Sequence, residues 1–338
     1  MVAVSRSLTA QAPGDLRWLR VEDPSAASAC RGAAQSLAGR LGFPAGRVDE
    51  LALAVTEAAS NLHKHARQGS MLLRIARDSD RPGIEMVTID AGPGFRDTGA
   101  ALRDGHSTSG TLGIGLGAIN RLADFCDLYS TPGHGTALVA RFFPAPGEAQ
   151  ARSAGLVRPI AGETDCGDVF GAAETEAGVT GVLCDGLGHG PLAASAAAQG
   201  VAAVLEDPQA DPAALVERAH RKMASTRGGA IGVVRLAGGT IWFAGLGNIA
   251  AVILAEGARK GMLSVPGIAG HRAQTIRQFE YTAPAGAAVI LHSDGISNRW
   301  EPGALPGLNA RDPLVIGATL LAEGGTRRDD AGVLVLKP

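Results

Sequence analysis

Aromatic residues are scarce in this chain, at 4% of 338 residues, so its cores must be built from small aliphatic side chains. Charge of one sign is also lacking. The 31 lysines and arginines nearly balance 33 aspartates and glutamates, for a formal charge of -2. Without a basic surplus, nucleic acid and anionic membranes are poor partners. No stretch reaches the ~20 apolar residues of a membrane span. The opening MVAVSRSLTAQAPGDLRWLR has no apolar centre of signal-peptide length. The four cysteines, Cys30, Cys126, Cys166 and Cys184, form neither a CxxC pair nor a zinc spacing. Reduced thiols and a cytoplasmic protein are expected.

What remains is a globular composition, 46% hydrophobic, in a chain long enough for two cores. A strand-like run, TALVARFF, ends near Phe143. The segment Pro144–Gly155 (PAPGEAQARSAG) is rich in Pro, Ala and Gly and reads as a linker. The expected organisation is therefore a domain over 1–143, a linker over 144–155 and a domain over 156–338.

In the first half, apolar positions Val48, Leu51, Val55, Ala58 and Leu62 recur at helical spacing. Glu57, Asn61 and His65 form a second line along the same predicted helix. A carboxylate followed one turn later by an amide suits a general base and a ligand for a hard cation such as Mg²⁺. A plain solvated helix face has the same composition. Asp90 closes a predicted strand and is followed by AGPGF, with Gly92 and Gly94. An acid at a strand end can accept a proton from an exocyclic amine, and glycines let a flat base approach the backbone. Gly110, Gly113, Gly115 and Gly117 then precede a predicted helix whose N-terminal amides can bind phosphate. His63 and His65 fit a helix surface.

The order ExxxN, DxGxG, GxGxG and GxGT (ending at Thr136) resembles the GHKL ATP-binding fold, and DGHSTSGTLGIGLGAINRLADF is similar to the RsbT-type serine/threonine switch kinases of the stressosome. The resemblance implies ATP with Mg²⁺ as cofactor. Glu57 becomes the catalytic base and Asn61 the Mg²⁺ ligand. Asp90 contacts adenine in a pocket shaped by Gly92 and Gly94. Gly113, Gly115 and Gly117 form a phosphate lid, and Thr136 assists at the base.

In the second half, Asp168 (CGDVF), Asp185 (CDGLGHGP), Asp294 (HSDGI) and the pair Asp329–Asp330 (RRDD) stand mostly where apolar segments start or stop. Strand ends are rigid, so such carboxylates can converge. Hard oxygen ligands suit Mg²⁺ or Mn²⁺ better than zinc. Each acid is also a common turn residue, and the glycines around Asp185 fit a phosphate cradle, a metal-binding strand end or an ordinary turn. Cys166 and Cys184 read as small buried residues.

CGDVF, DGLGHGPLA, KMASTRGGA, GLGNIAAVIL, ILHSDGIS and RRDDAGVLVL, in this order, resemble the metal-dependent PPM serine/threonine phosphatases, in their SpoIIE and RsbX branch. The resemblance implies two Mn²⁺ or Mg²⁺ ions. Asp185 bridges them, the Gly186 carbonyl adds a ligand, and Asp168, Asp294 and Asp329 complete the set. Asp330 acts indirectly at most, Asn248 is structural, and His189 is no ligand. The family often carries Thr two residues after the acidic pair, where Gly332 stands here.

The fold class expected is α+β in two domains, a GHKL (Bergerat-type) α/β sandwich followed by a PPM-type αββα sandwich. The implied function is a bifunctional regulator of a bacterial partner-switching pathway. It would phosphorylate and dephosphorylate a STAS-domain scaffold or anti-sigma antagonist, with a downstream phosphatase or sigma-factor regulator as a further partner. The alternative is an anti-sigma-like ATP-binding module that gates the phosphatase.

Overall fold

A computed structural model describes residues 7–10, 17–78, 81–102, 115–145, 151–273 and 275–338. They divide into two compact units, one of residues 15–150 and one of residues 1–14 together with 151–338. This departs from the expected division at one end. Strand β1 (Ser7–Ala10) lies within the 1–143 assigned to the first domain, yet it belongs to the second unit. Its backbone completes the edge of a sheet there, and edge pairing needs backbone groups rather than a side-chain pattern.

The unit of residues 15–150 runs β2 (Arg17–Arg20), α1 (Ser25–Arg40), α2 (Ala45–His65), β3 (Ser70–Asp78), β4 (Arg81–Asp90), α3 (Thr98–Ala101), α4 (Gly115–Leu122), β5 (Phe125–Ser130) and β6 (Thr136–Phe142). Its antiparallel sheet has the order β2-β3-β4-β6-β5. Helix α2 forms where the apolar spacing requires, burying Leu51, Val55, Ala58 and Leu62 against Met71, Met86, Leu138 and Phe142 of the sheet. It starts three residues before Val48 because Pro44, extended at ψ 148, sets the entry. Helix α1 was not anticipated. It buries only Cys30, Ala34 and Ala38, one small residue per turn, too weak an apolar stripe to register in the sequence. Arg47 ties the start of α2 to the end of α4 by bonding Asp124 and the carbonyls of Leu122 and Phe143.

The second unit continues with β7 (Ser153–Arg158), β8 (Asp168–Thr175), β9 (Gly178–Gly186), α5 (Pro191–Leu205), α6 (Pro212–Lys222), β10 (Gly229–Ala237), β11 (Thr240–Leu246), β12 (Ala250–Ala255), β13 (Ala258–Met262), β14 (Gly267–Ile268), β15 (Arg272–Ala273), β16 (Phe279–Thr282), β17 (Ala288–His292), α7 (Pro313–Gly324) and β18 (Ala331–Leu336). One sheet has the order β1-β8-β9-β10-β11-β16 and the other β13-β12-β17-β18-β7. β7 and β18 pack on β8 and β18 on β9, so the sheets lie face to face. Helices α5 and α6 cover the first sheet and α7 the second, giving four layers. The linker expectation of 144–155 ran too far. Ser153, Ala154 and Gly155 are buried in β7 and pair with Leu336, Val335 and Leu334. Small residues there serve close sheet packing, since a Cβ on Gly155 would meet the Phe170 ring at 2.6 Å. That close packing makes a strand read as a linker.

Candidate active sites

In the first domain, α2 carries Glu57 and Asn61 one turn apart, both half-buried. The Asn61 Nδ2 is buried without a hydrogen-bond partner. Gly115, the first residue of α4, faces it, and a Cβ there would stand 3.1 Å from that nitrogen. Gly117 is buried two residues further into α4. Gly110 and Gly113 lie outside the described residues.

Asp90 ends β4 opposite Thr136, the first residue of β6. Its Oδ1 accepts the Gly92 N–H at 2.7 Å. Burial pushes its carboxyl above the usual range, and the amides of Gly92 and Thr136 oppose that. Gly94 takes φ +60, where a Cβ would strike the Thr131 carbonyl at 2.1 Å, so only glycine fits this turn. Behind it, Ser130 Oγ bonds the Gly135 carbonyl (2.8 Å), the Phe95 N–H (3.0 Å) and Thr136 Oγ1 (3.1 Å). Thr131 Oγ1 is buried without a partner. Two neutral polar groups, on Asn61 and Thr131, are thus left unsatisfied in a native fold, where such groups are rare. An amide–hydroxyl set of this kind fits a nucleotide and its Mg²⁺. Asn61 would hold the ion through Oδ1 while its unpaired Nδ2 met a phosphate oxygen, and Asp90, Gly92, Gly94 and Thr136 would hold the base.

In the second domain, sheet register brings the acids together. Asp168 opens β8 and sits directly opposite Asp185 near the end of β9. Asp168 is fully buried. Its Oδ2 accepts from Ser293 Oγ at 2.6 Å, and its Oδ1 has no partner. Burial, then the charge of Asp185, drives its carboxyl well above the ordinary range. Asp185 is pushed up to about 7 by burial and by Asp294 and Asp329, relieved in part by the side chain of Asp168. Asp294 and Asp329 are solvent-exposed. Asp330 is buried and accepts the N–H groups of Ile160 (2.8 Å) and Gly167 (2.9 Å). It therefore braces the loop before β8. At Gly186 a Cβ would fall 2.2 Å from the Ala193 carbonyl of α5, which explains glycine beside Asp185.

Among the described residues, no three His, Cys, Asp or Glu side chains are already arranged to hold one ion. The electrostatics nevertheless fit a cation. Mutually repelling carboxyls with raised proton affinity, one with an orphaned buried oxygen, lack a counter-charge. Asp168, Asp185, Asp294, Asp329 and the Gly186 carbonyl would hold it. Cys166 and Cys184 are buried, with thiols driven well above their usual range by burial and the neighbouring aspartates. Such thiols are packing residues, not ligands. His189 is largely exposed and pairs with Glu163 at 3.1 Å.

Two residues gain roles that sequence reasoning missed. Asn248 Nδ2 donates to Asp294 Oδ2 at 2.7 Å, so it orients a proposed ligand. Ser293 Oγ donates to Asp168 and accepts the Gly332 N–H at 2.9 Å. Gly332 is explained by the same contact, because a Cβ there would lie 3.0 Å from Asp168 Oδ2. The adjacency of Ser293 to Asp294 was the available signal.

No helix among the described residues is long and apolar enough to cross a membrane. Residues 21–142 match the histidine kinase-like ATPase domain, and residues 175–337 match stage II sporulation protein E (SpoIIE). The serine/threonine-protein kinase RsbT of Bacillus subtilis (strain 168) is 36% identical over 114 residues, covering 33% of this chain and 84% of RsbT. A structure described as "The bacterial stressosome: a modular system that has been adapted to control secondary messenger signaling" is 28% identical with a TM-score of 0.50, covering 55% of this chain and 98% of that one. Magnesium-bound RsbX is 21% identical with a TM-score of 0.49, covering 56% of this chain and 96% of that one. The chain belongs to the RsbT-type histidine kinase-like ATPase family through its first domain, and it joins that domain to one that matches SpoIIE.

Proposed function

We propose that the protein adds phosphate to serine or threonine of a STAS-domain partner with its first domain and removes it with its second. The observation that carries the phosphatase half is Asp168 directly opposite Asp185 in the β8–β9 register, with Asp294 and Asp329 near enough to raise the Asp185 carboxyl. Kinship with RsbT and likeness to the stressosome structure support a STAS partner.

In the first site Glu57 would take the proton of the attacking hydroxyl, and Asn61 would hold Mg²⁺. Asp90 and Thr136 would read the adenine edge, while Gly113, Gly115 and Gly117 would cover the phosphates. In the second site two Mn²⁺ or Mg²⁺ ions would supply Lewis acidity and an acidified water. The chain's own part is to fix the carboxylates. Asp185 faces Asp168 across the β8–β9 pair, Ser293 bonds Asp168, and Asn248 bonds Asp294.

The test uses p-nitrophenyl phosphate and a fluorescent ATP analogue. Mn²⁺-dependent hydrolysis lost in Asp185→Ala, with nucleotide binding retained, is expected. Metal-independent hydrolysis, or none in the wild type, would sink the phosphatase half. Failure to bind nucleotide with Mg²⁺ would sink the kinase half.

A further inference from the structure

The β9–β10 ladder does not stop at the acids. Asp185 is opposite Ala230 and Gly186 opposite Gly229, and the Leu187 N–H continues the pairing to the Gly228 carbonyl at 2.9 Å. One residue further, Arg227 reaches the turn after Asp185. A Cβ on Gly188 would lie 3.2 Å from its Nη1.

The backbone under Arg227 is held on every side. Thr226 donates its N–H and Oγ1 to the Met223 carbonyl at 2.9 and 2.8 Å. Gly228 N–H donates to Thr226 Oγ1 at 3.0 Å. His271 Nε2 donates to the Arg227 carbonyl at 2.9 Å. The side chain above this platform is exposed, and among the described residues its guanidinium makes no hydrogen bond or ion pair. A fixed base and a free planar fork beside a candidate phosphoryl site are the geometry that bidentate phosphate binding needs.

Charge points the same way. Five aspartates gather here, and two divalent ions would offset about four of their charges, while a phosphoserine brings about two more. A cation facing the substrate, outside the metal set, would offset part of that charge.

We infer that Arg227 binds the phosphoryl oxygens of the phosphoserine or phosphothreonine substrate in the second site. It acts on substrate and product phosphate, not on the metals. The inference rests on the phosphatase reading for its substrate, and the test separates the two.

The experiment compares wild type, Arg227→Ala and Arg227→Lys as full chains with Mn²⁺. It measures KM and kcat for p-nitrophenyl phosphate, affinity for inorganic phosphate by calorimetry, and Mn²⁺ affinity. Arg227→Ala should raise KM and weaken phosphate binding by about 10- to 100-fold, with kcat changed far less and Mn²⁺ affinity unchanged. Arg227→Lys should recover part of the loss. Equal KM and phosphate affinity in wild type and Arg227→Ala would overturn the inference. So would a parallel loss of Mn²⁺ affinity, which would make Arg227 a support of the metal site. A wild type that binds phosphate through Arg227 yet hydrolyses nothing would overturn the phosphatase reading and leave the phosphate site standing.

Discussion

The two candidate sites solve opposite electrostatic problems. In the first domain the unsatisfied groups are neutral, the Asn61 amide and the Thr131 hydroxyl. Each costs about 1–3 kcal/mol while empty, which a folded domain can carry. In the second site the unsatisfied group is a carboxyl oxygen, Asp168 Oδ1, and burial with neighbouring aspartates raises the proton affinity of Asp168 and Asp185. A contrast inside the first domain sharpens the point. Glu85 is buried, as Asp168 of the second site is, but Arg74 and Arg141 flank it on the neighbouring strands and bond its two oxygens at 2.7 and 2.8 Å. Burial raises its carboxyl, yet the two arginines outweigh burial and hold it below the usual range. A buried acid with its cations built in stays charged. Acids without them favour the protonated form and would favour a bound cation.

The largest expected effect breaks the comparison at its charged end. Asp185→Asn should lower hydrolysis of p-nitrophenyl phosphate by at least about 10³-fold, and should raise the melting temperature of the metal-free protein by removing a repelling carboxyl. Glu57→Gln should change neither. The same acids set a pH dependence. A carboxyl raised from 3.8 to about 7 holds its proton in the fold and loses it when unfolded. Metal-free stability should therefore be greatest near pH 4 and fall as the pH rises through about 7. Mn²⁺ should then raise the melting temperature more at pH 8 than at pH 5.5, since bound metal displaces those protons. Equal shifts at both pH values would contradict the account.

Next in size is Glu85→Gln. It removes the buried charge that Arg74 and Arg141 both bond and should destabilise the first domain by about 3–5 kcal/mol, read by chemical denaturation. The sign with pH is the reverse of the second site. The depressed Glu85 carboxyl stabilises above its unfolded pKa near 4.5, and that stability is lost as the pH falls through its lower folded value. Asn248→Ala should weaken Mn²⁺ binding by about 10- to 100-fold without unfolding the domain, as calorimetry can measure. The smallest effect is expected from deleting residues 1–10. Loss of the β1 pairing with β8 should lower the stability of the second domain by about 1–3 kcal/mol and leave nucleotide binding intact.

How much could be read beforehand followed how local each feature is. Glu57 and Asn61 share one helix, and Asp90 closes a strand of clear hydrophobic pattern, so both were legible. The aspartates of the second site were legible as strand-end acids, but their pairing was not. Only the antiparallel register sets Asp168 against Asp185, and register depends on partners far away in the chain. Asn248 and Ser293 were missed as positioning residues for the same reason, since each acts on a carboxylate from another strand. Helix α1 and the start of β7 escaped because alanine, glycine and serine pack closely without leaving an apolar signature. β1 escaped because four residues are too few for a hydrophobic pattern to mark a strand.

The most direct test of two opposed sites in one chain is the phosphate level of a STAS-domain partner over time, with ATP and Mg²⁺ first and Mn²⁺ added later. The wild type should raise and then lower it. Glu57→Ala should never raise it but should still clear a pre-phosphorylated partner, and Asp185→Ala should raise it and leave it high. A phosphate level that responds identically in wild type and both variants would contradict the account.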